Sequence, residues 1–157
     1  MPTFSIESNG RLEKTAVYYN GEQLGGIKEI LMNIDEEGTF DAFIQYEGSD
    51  KNLYTKQIFT DYFDNIKVVE PTFTEEEAEE LQLLTIESEG NIEETSLMMN
   101  EEPLDGVVRL EVHIKGTNKV SGLKSLFTQN DLSDKPVFKA EITFRNEDDT
   151  IETENVF

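Results

Sequence analysis

"IESNGRLEKTAVYYNGEQLGG", residues 6–26, returns eighty positions later as "IESEGNIEETSLMMNEEPLDG", residues 86–106. The similarity extends over residues 4–34 and 84–114, which align without a gap and are identical at eleven of 31 positions. Similarity at one fixed offset over a whole unit is not expected by chance. The sequence therefore predicts an internal duplication.

The second part of the repeat lies at a different offset. Residues 39–59 match residues 137–157 with six identities in 21 positions, because the second copy carries an insertion before this block. The duplication divides the chain into repeat unit one (1–59), a linker (60–83) and repeat unit two (84–157). A unit of this size has only a marginal core alone, so the two units are expected to pack on each other.

Apolar residues inside each unit recur with a period of two, which is typical of β-strands. Phe40, Ala42 and Ile44 show this alternation, and the aligned residues of unit two show it as well. Asn-Gly and similar pairs between the runs suit hairpin turns. The predicted strands are 3–8, 13–19, 27–34, 39–47, 53–59, 84–88, 94–99, 107–114, 137–145 and 150–157.

These strands predict an all-β, mainly antiparallel fold of two duplicated five-strand units. The units are expected to pack as a pseudo-symmetric β-sandwich or as two docked small β-barrels. A short strand that ends at Pro71 and one short helix, residues 75–82, are predicted in the linker. Thr74 is a good N-cap for this helix, and Glu77 completes a capping box with it.

The chain is strongly acidic, with 34 Asp and Glu against 13 Lys and Arg and a formal net charge of −21. Such a field repels nucleic acid, whose binding requires Lys and Arg against the phosphates. Direct nucleic-acid binding is therefore not expected. The chain has no cysteine, no leader-like N-terminus and no apolar run near the roughly 20 residues of a membrane span. We therefore predict a cytoplasmic protein without membrane contact.

No residue pattern points to catalysis, and we predict a non-enzymatic protein without catalytic residues. The single histidine, His113, is expected to share the polar face of its strand with Arg109 and Glu111. The sequence has no serine elbow and no second histidine to complete a nucleophilic site. Carboxylate pairs that would suit a glycosidase are too abundant in this chain to be specific.

Cofactor and metal sites are not predicted either. Residues 33–44 place Asn and acidic side chains in part of an EF-hand-like spacing. Ile44, however, stands where a calcium loop needs its bidentate glutamate. A short hairpin turn explains Gly38 better than a calcium loop does.

Partner contact is predicted where the two units differ most. Unit one joins two strands with "DEEG" (35–38), whereas unit two uses residues 115–136, which are eighteen residues longer and carry a net charge of +2. Long connections in compact domains are often functional. The alternative is a loop whose short apolar run packs on its own sheet edge. The residues of this loop expected to contact a partner are Lys119, Lys124, Leu126 and Phe127.

Phe43 is a further candidate for partner contact. It falls on the polar phase of its strand, at the position where unit two has Glu141. An outward aromatic side chain suits an interface with a partner. Alternatively, this face is buried against the other unit.

These features favour a non-enzymatic protein-interaction or structural module that binds a protein partner. From the small β-repeat style we also hypothesise an origin in a phage or another mobile element. An alternative function is an acidic mimic of nucleic acid that inhibits a DNA- or RNA-binding protein, which requires ordered rows of carboxylates. A third class, a ligand-holding β-barrel, would need a pocket lined by Tyr18, Tyr46 and Tyr54.

Overall fold

The computed structural model describes residues 2–116 and 136–157. The fold is all-β and antiparallel, as predicted, and consists of two sheets and one short α-helix. No helical segment in the described part of the chain has the length and apolarity that a membrane crossing requires. The strands are β1 (Thr3–Ser8), β2 (Ala16–Tyr19), β3 (Glu22–Gly25), β4 (Ile27–Asp35), β5 (Phe40–Glu47), β6 (Leu53–Gln57), β7 (Lys67–Val69), β8 (Gln82–Ser88), β9 (Thr95–Met99), β10 (Glu102–Pro103), β11 (Val107–Lys115), β12 (Val137–Arg145) and β13 (Ile151–Asn155), and the helix is α1 (Glu75–Ala78).

Each sheet is built around two strands that are far apart in sequence. Sheet one has the order β10-β9-β8-β1-β2-β3-β7, and sheet two has the order β13-β12-β11-β4-β5-β6. Strand β1 pairs with β8, and β4 pairs with β11, both antiparallel. Neither sheet closes on itself within the described residues, so the predicted alternative of two docked barrels is wrong. The physical reason is that each half of the chain divides its strands between both sheets, so neither half has a sheet of its own that could close into a barrel.

One hydrophobic core is shared by both halves of the chain. Alternation along the strands places Ile6 and Ile86 of sheet one and Ile44 and Val112 of sheet two in a single buried cluster. Complete burial of such a side chain stabilises the fold by about 1.5–3 kcal/mol relative to leaving it exposed. Neither half could bury these rows alone, because each sheet takes strands from both halves.

The linker runs from the edge of sheet one to its centre, since β7 pairs with β3 and β8 pairs with β1. Helix α1 is a single turn, shorter than the predicted 75–82, because the chain must enter β8 at Gln82 to supply that strand's core residues. The capping box is confirmed. Thr74 Oγ1 accepts a hydrogen bond from the backbone N–H of Glu77 at 3.2 Å, and the Glu77 carboxylate accepts one from the backbone N–H of Thr74 at 3.2 Å.

Two short strands, β3 and β10, were not predicted, since periodicity cannot be detected over two to four residues. Each follows a turn in which an asparagine adopts a positive φ, 51° at Asn20 and 53° at Asn100. The side-chain oxygen of Asn20 accepts a hydrogen bond from the backbone N–H of Thr3 at 2.9 Å. Asn100 accepts one in the same way from Leu83 at 2.8 Å. Local asparagine chemistry therefore fixes both turns.

Gly26 and Gly106 lie where the chain crosses from sheet one to sheet two. Their φ angles are +75° and +74°, in the left-handed region that favours glycine. A Cβ atom would lie 2.5 Å from the carbonyl oxygen of Glu47 at Gly26, and 3.0 Å from that of Arg145 at Gly106. The glycines therefore permit both the crossing and the close approach of the neighbouring strand end.

Gly26→Ala is expected to destabilise the fold more than Gly38→Ala. Both positions have positive φ, but a Cβ at Gly38 meets no atom within 4 Å. Gly38→Ala carries only the backbone cost of about 1–2 kcal/mol, and the clash at Gly26 adds at least about 1 kcal/mol. Chemical denaturation of the two variants measures the difference. Equal losses of unfolding free energy would contradict this account of Gly26.

Candidate interaction surface

Four of the five predicted contact residues, Lys119, Lys124, Leu126 and Phe127, lie outside the described residues. The strands that flank their loop are well defined. β11 and β12 remain paired as far as Lys115 and Val137, with backbone pairing on both sides of the connection. The described part of the candidate surface is therefore the one around Phe43.

Phe43 lies on the outer face of sheet two. Its neighbours in β5, Ala42 and Ile44, are buried in the core, so the alternation of the strand directs Phe43 away from it. In the ladder Phe43 pairs with Leu31 of β4 and with Gln57 of β6. Leu31 is 43% exposed, and Phe43 is partly exposed. These two side chains form what we call the apolar pair.

The apolar pair borders a shallow depression of about 230 Å³ on this face. Its lining combines apolar side chains with polar ones. Sequence reasoning identified Phe43 but missed Leu31. The signal was present, because Leu31 also falls on the polar phase of its strand and aligns with Glu111. The residues that line the depression are Glu29, Leu31, Phe43, Ile44, Gln45 and Thr55.

The aligned region of unit two is charged where unit one is apolar. Glu111 and Glu141 occupy the positions that align with Leu31 and Phe43. The Lys139 ammonium lies 2.6 Å from the Glu111 carboxylate and 3.5 Å from that of Glu141. Arg109 lies 2.7 Å from Glu111 on the other side. This half of the outer face is a network of exposed and partly exposed ion pairs.

His113 lies on β11, where the second half of the outer face meets the first half at β4. It pairs with Leu31 across the ladder, and its Nε2 lies 2.6 Å from the Glu29 carboxylate. The expectation that His113 shares the polar face with Arg109 and Glu111 is confirmed, because the intervening Leu110 and Val112 are buried. The contact partner of the imidazole is a surface carboxylate on a neighbouring strand.

The ion pairs of this network shift the pKa values of Glu111 and Lys139. A hydrogen bond from the Lys139 ammonium, supported by the positive charge of Arg109, lowers the pKa of Glu111 against the opposing effect of partial burial. The same contact with Glu111 raises the pKa of Lys139. Both groups therefore stay ionised near neutral pH, although exposed pairs of this kind add little stability.

The region considered for calcium is a hairpin turn. The Asp35 carboxylate accepts hydrogen bonds from the backbone N–H groups of Glu37 and Thr39, both at 3.0 Å, and these contacts lower its pKa. The carboxylate is thus engaged by its own turn. Within residues 2–116 and 136–157 no group of three or more His, Asp or Glu side chains is arranged to hold a metal ion.

The three tyrosines of the ligand-pocket hypothesis are not brought together. Tyr46 is fully buried and its ring is stacked on that of Tyr54, with centroids 5.3 Å apart. Tyr18 belongs to β2 of sheet one, where its hydroxyl donates a hydrogen bond to Glu7 at 3.1 Å. A larger cleft of about 430 Å³ lies elsewhere, beside β10 and the start of β11, and has none of these tyrosines in its lining.

Neither protein-family models, nor curated proteins, nor solved structures gave a match to this chain.

Lys139→Met is expected to raise the pKa of Glu111 towards that of an ordinary carboxyl, with Arg109 retaining part of the shift. A lowered carboxyl pKa stabilises the fold above the unfolded-state pKa of about 4.3, and this contribution is lost as pH falls through the folded value. The stability gap between wild type and variant should therefore shrink in acid. Carboxyl ¹³C titration by NMR measures the pKa, and Lys67→Met, in a separate ion pair with Glu47, is the control. An unchanged Glu111 titration would contradict the assignment.

Proposed function

We propose that this protein is a non-enzymatic interaction or structural module that binds a protein partner through the outer face of sheet two. The apolar pair carries the proposal, because Leu31 and Phe43 stand outward at positions that bear glutamates in the other half. Leu53, 63% exposed, has the same outward phase on the neighbouring β6. Covering a large apolar side chain on binding is worth about 1.5–3 kcal/mol before the cost of association.

We further propose that the chain is an internal duplication that forms a pseudo-symmetric β-sandwich. The ladder registers support it. Ser5 pairs with Thr85, and Met32 pairs with Val112. In each pair the partner is the residue that the alignment makes its counterpart. A two-fold axis through both pairs would relate the halves, and the sheet orders read nearly the same from either end, with β7 as the exception.

Matching hydrogen bonds also support the duplication. Ser8 and Thr15 join their hydroxyls at 2.8 Å, and the aligned Ser88 and Thr95 do so at 2.7 Å. The backbone N–H of Glu47 donates to the carbonyl of Gly26 at 2.9 Å, and the aligned bond in the second half is 2.8 Å long. Where the fold repeats its contacts so closely, outward differences such as the apolar pair are better explained by function than by folding.

The alternative, an acidic mimic of nucleic acid, has less physical support on this face. A mimic needs rows of carboxylates that stay unneutralised, as phosphates do. On the outer face of sheet two, Lys139 pairs with both Glu111 and Glu141, and Arg109 also pairs with Glu111. Alternating charges of this kind give a mixed field rather than a negative ridge.

The double variant Leu31→Glu/Phe43→Glu tests the apolar pair. The two new glutamates lie opposite each other, near Asp41 and Glu29 where the second half has Lys139 and Arg109, so the fold should persist with a loss of about 1–2 kcal/mol from the lost cross-strand pair and the like charges. Capture of the partner from native lysate should be lost. Gln57→Glu, which adds a charge beside Phe43 without removing the apolar pair, should retain capture. Full capture by the double variant would remove this face from the proposal.

The long connection of unit two is tested by exchanging residues 116–135 for the short "DEEG"-type turn of unit one. Pairing up to Lys115 and Val137 leaves the strand ends close enough for a short turn, so thermal unfolding should remain cooperative. If Lys119, Lys124, Leu126 and Phe127 contact the partner, capture should be abolished. Undiminished capture would mean that the loop is an insertion without a role in binding. The apolar pair would then be the remaining contact surface.

A further inference from the structure

A pocket of about 220 Å³ lies between strands β2 and β3 of sheet one and the linker. Three aromatic residues, Tyr19, Tyr62 and Phe63, line it together with the acids Glu22 and Asp61. The rest of the lining is aliphatic, and none of the lining residues is basic. The pocket therefore combines aromatic rings with negative charge, and both of these attract an organic cation.

The turn after β6 holds the linker side of this pocket in place. The backbone N–H of Asp61 donates a hydrogen bond to the carbonyl of Gln57 at 3.1 Å. One oxygen of the Asp61 carboxylate accepts a hydrogen bond from the backbone N–H of Gln57 at 2.8 Å. Two residues later, Phe63 is 8% exposed, and its ring centroid lies 4.8 Å from that of Tyr19. The backbone of Tyr62 is thus fixed by the turn before it and by the anchored ring after it.

Tyr62 itself is 80% exposed, although the residues on both sides of it are held in place. Isolated exposed apolar residues are common on protein surfaces. Tyr62, however, lines a pocket together with Val68, another exposed apolar residue. Its ring contributes little to the core and is available to contact a bound group.

Neither carboxylate of the pocket belongs to an ion pair within the described residues. The Glu22 carboxylate makes no contact with a charged or hydrogen-bonding group in that part of the chain. Lys56 lies near Asp61, but its ammonium is held by Asp64 at 2.6 Å. The net charge of −21 also concentrates cations around the whole molecule. The pocket therefore favours a cationic ligand and repels an anionic one.

The size of the pocket restricts the ligand to a single head group or side chain. Pockets for drug-sized ligands and cofactors measure about 300–1,000 Å³, which is more than the 220 Å³ available here. A methylated ammonium group is small enough, and its methyl groups suit the apolar part of the lining. It is also less strongly hydrated than a primary ammonium, so its transfer from water to aromatic rings is less costly.

We propose that this pocket, which we call the ammonium pocket, binds a methylated ammonium group against Tyr19, Tyr62 and Phe63. Glu22 and Asp61 supply the opposite charge. The group is carried by a small molecule such as choline or by a methylated lysine side chain, which present the same chemistry to the pocket. The ammonium pocket shares no lining residue with the depression at the apolar pair, so this site goes beyond the proposed function.

Choline and its neutral analogue, in which a quaternary carbon replaces the nitrogen, are matched probes because they differ in charge and hardly in shape. Each is titrated into the full-length protein while the ring signals of Tyr62 and Phe63 are followed by NMR. Choline should bind at least about fivefold more tightly than the neutral analogue. Equal binding of the two probes would overturn the proposal. So would unchanged ring signals at up to about 100 mM choline, well above the millimolar dissociation constant of a weak site.

The contribution of the aromatic ring is tested by Tyr62→Phe and Tyr62→Leu, which should both fold because Tyr62 is exposed. Tyr62→Phe keeps the ring and should bind choline as the wild type does. Tyr62→Leu should weaken choline binding about fivefold. If the two variants bound choline equally, the aromatic contact would be refuted.

The contribution of the charge is tested by Glu22→Gln, with Glu76→Gln on α1 as the control. Both variants remove one negative charge, but Glu76 does not line the pocket. Glu22→Gln should weaken choline binding about two- to threefold, and the control should leave it unchanged. Equal effects would mean attraction by the overall charge and would contradict a built site.

Short glycine–serine peptides with one trimethyllysine or one unmodified lysine distinguish the two sources of the group. Tighter binding of the trimethyllysine peptide than of choline would assign the ammonium pocket to a protein side chain, and equal or weaker binding would assign it to a small molecule. The unmodified peptide should bind more weakly than the trimethylated one, and equal binding of the two peptides would refute the preference for methyl groups. The Leu31→Glu/Phe43→Glu variant should bind choline as the wild type does, so failure of the proposed function leaves this site intact.

Discussion

The pairing of β1 with β8 and of β4 with β11 is the constraint on which the rest of the structure depends. Ser5 and Thr85 are 80 residues apart in sequence, yet their hydroxyls lie 3.0 Å apart at the middle of the first pairing. Because side chains alternate along a strand, this register fixes which residues of each half enter the core. It also fixes which residues face outward, Leu31 and Phe43 among them. A slip by one residue would bury the charges and expose the core.

Much of this arrangement could be predicted from particular residues. The alternation of Phe40, Ala42 and Ile44 predicted β5 and its buried face. Thr74 and Glu77 predicted the start of the helix. The recurrence of Gly26 as Gly106 indicated a backbone constraint, and both adopt the same positive φ. These features are local, because periodicity, capping and backbone freedom are properties of a few neighbouring residues.

The features that could not be predicted depend on contacts between distant segments. Nothing in a strand's own alternation tells which sheet it joins, so the division of each half between two sheets was not foreseen. Helix α1 ends early because the chain must enter β8 in time to place Leu84 and Ile86 in the core. Helix propensity does not determine this end. The different burial of Tyr46 and its aligned counterpart Phe144 is likewise visible only in the folded structure.

The central pairings also impose an order on synthesis. When β1 and β4 leave the ribosome, β8 and β11 have not yet been made. Until then β1 and β4 each have an unpaired edge, and the apolar side chains of the first half are only partly covered. Contacts this distant in sequence make folding slow. Because Ser5 and Met32 pair with their own counterparts, an unfinished chain presents an edge that suits the same edge of a second unfinished chain. The proposed two-fold relation of the halves therefore implies a route by which two nascent molecules associate before either is complete.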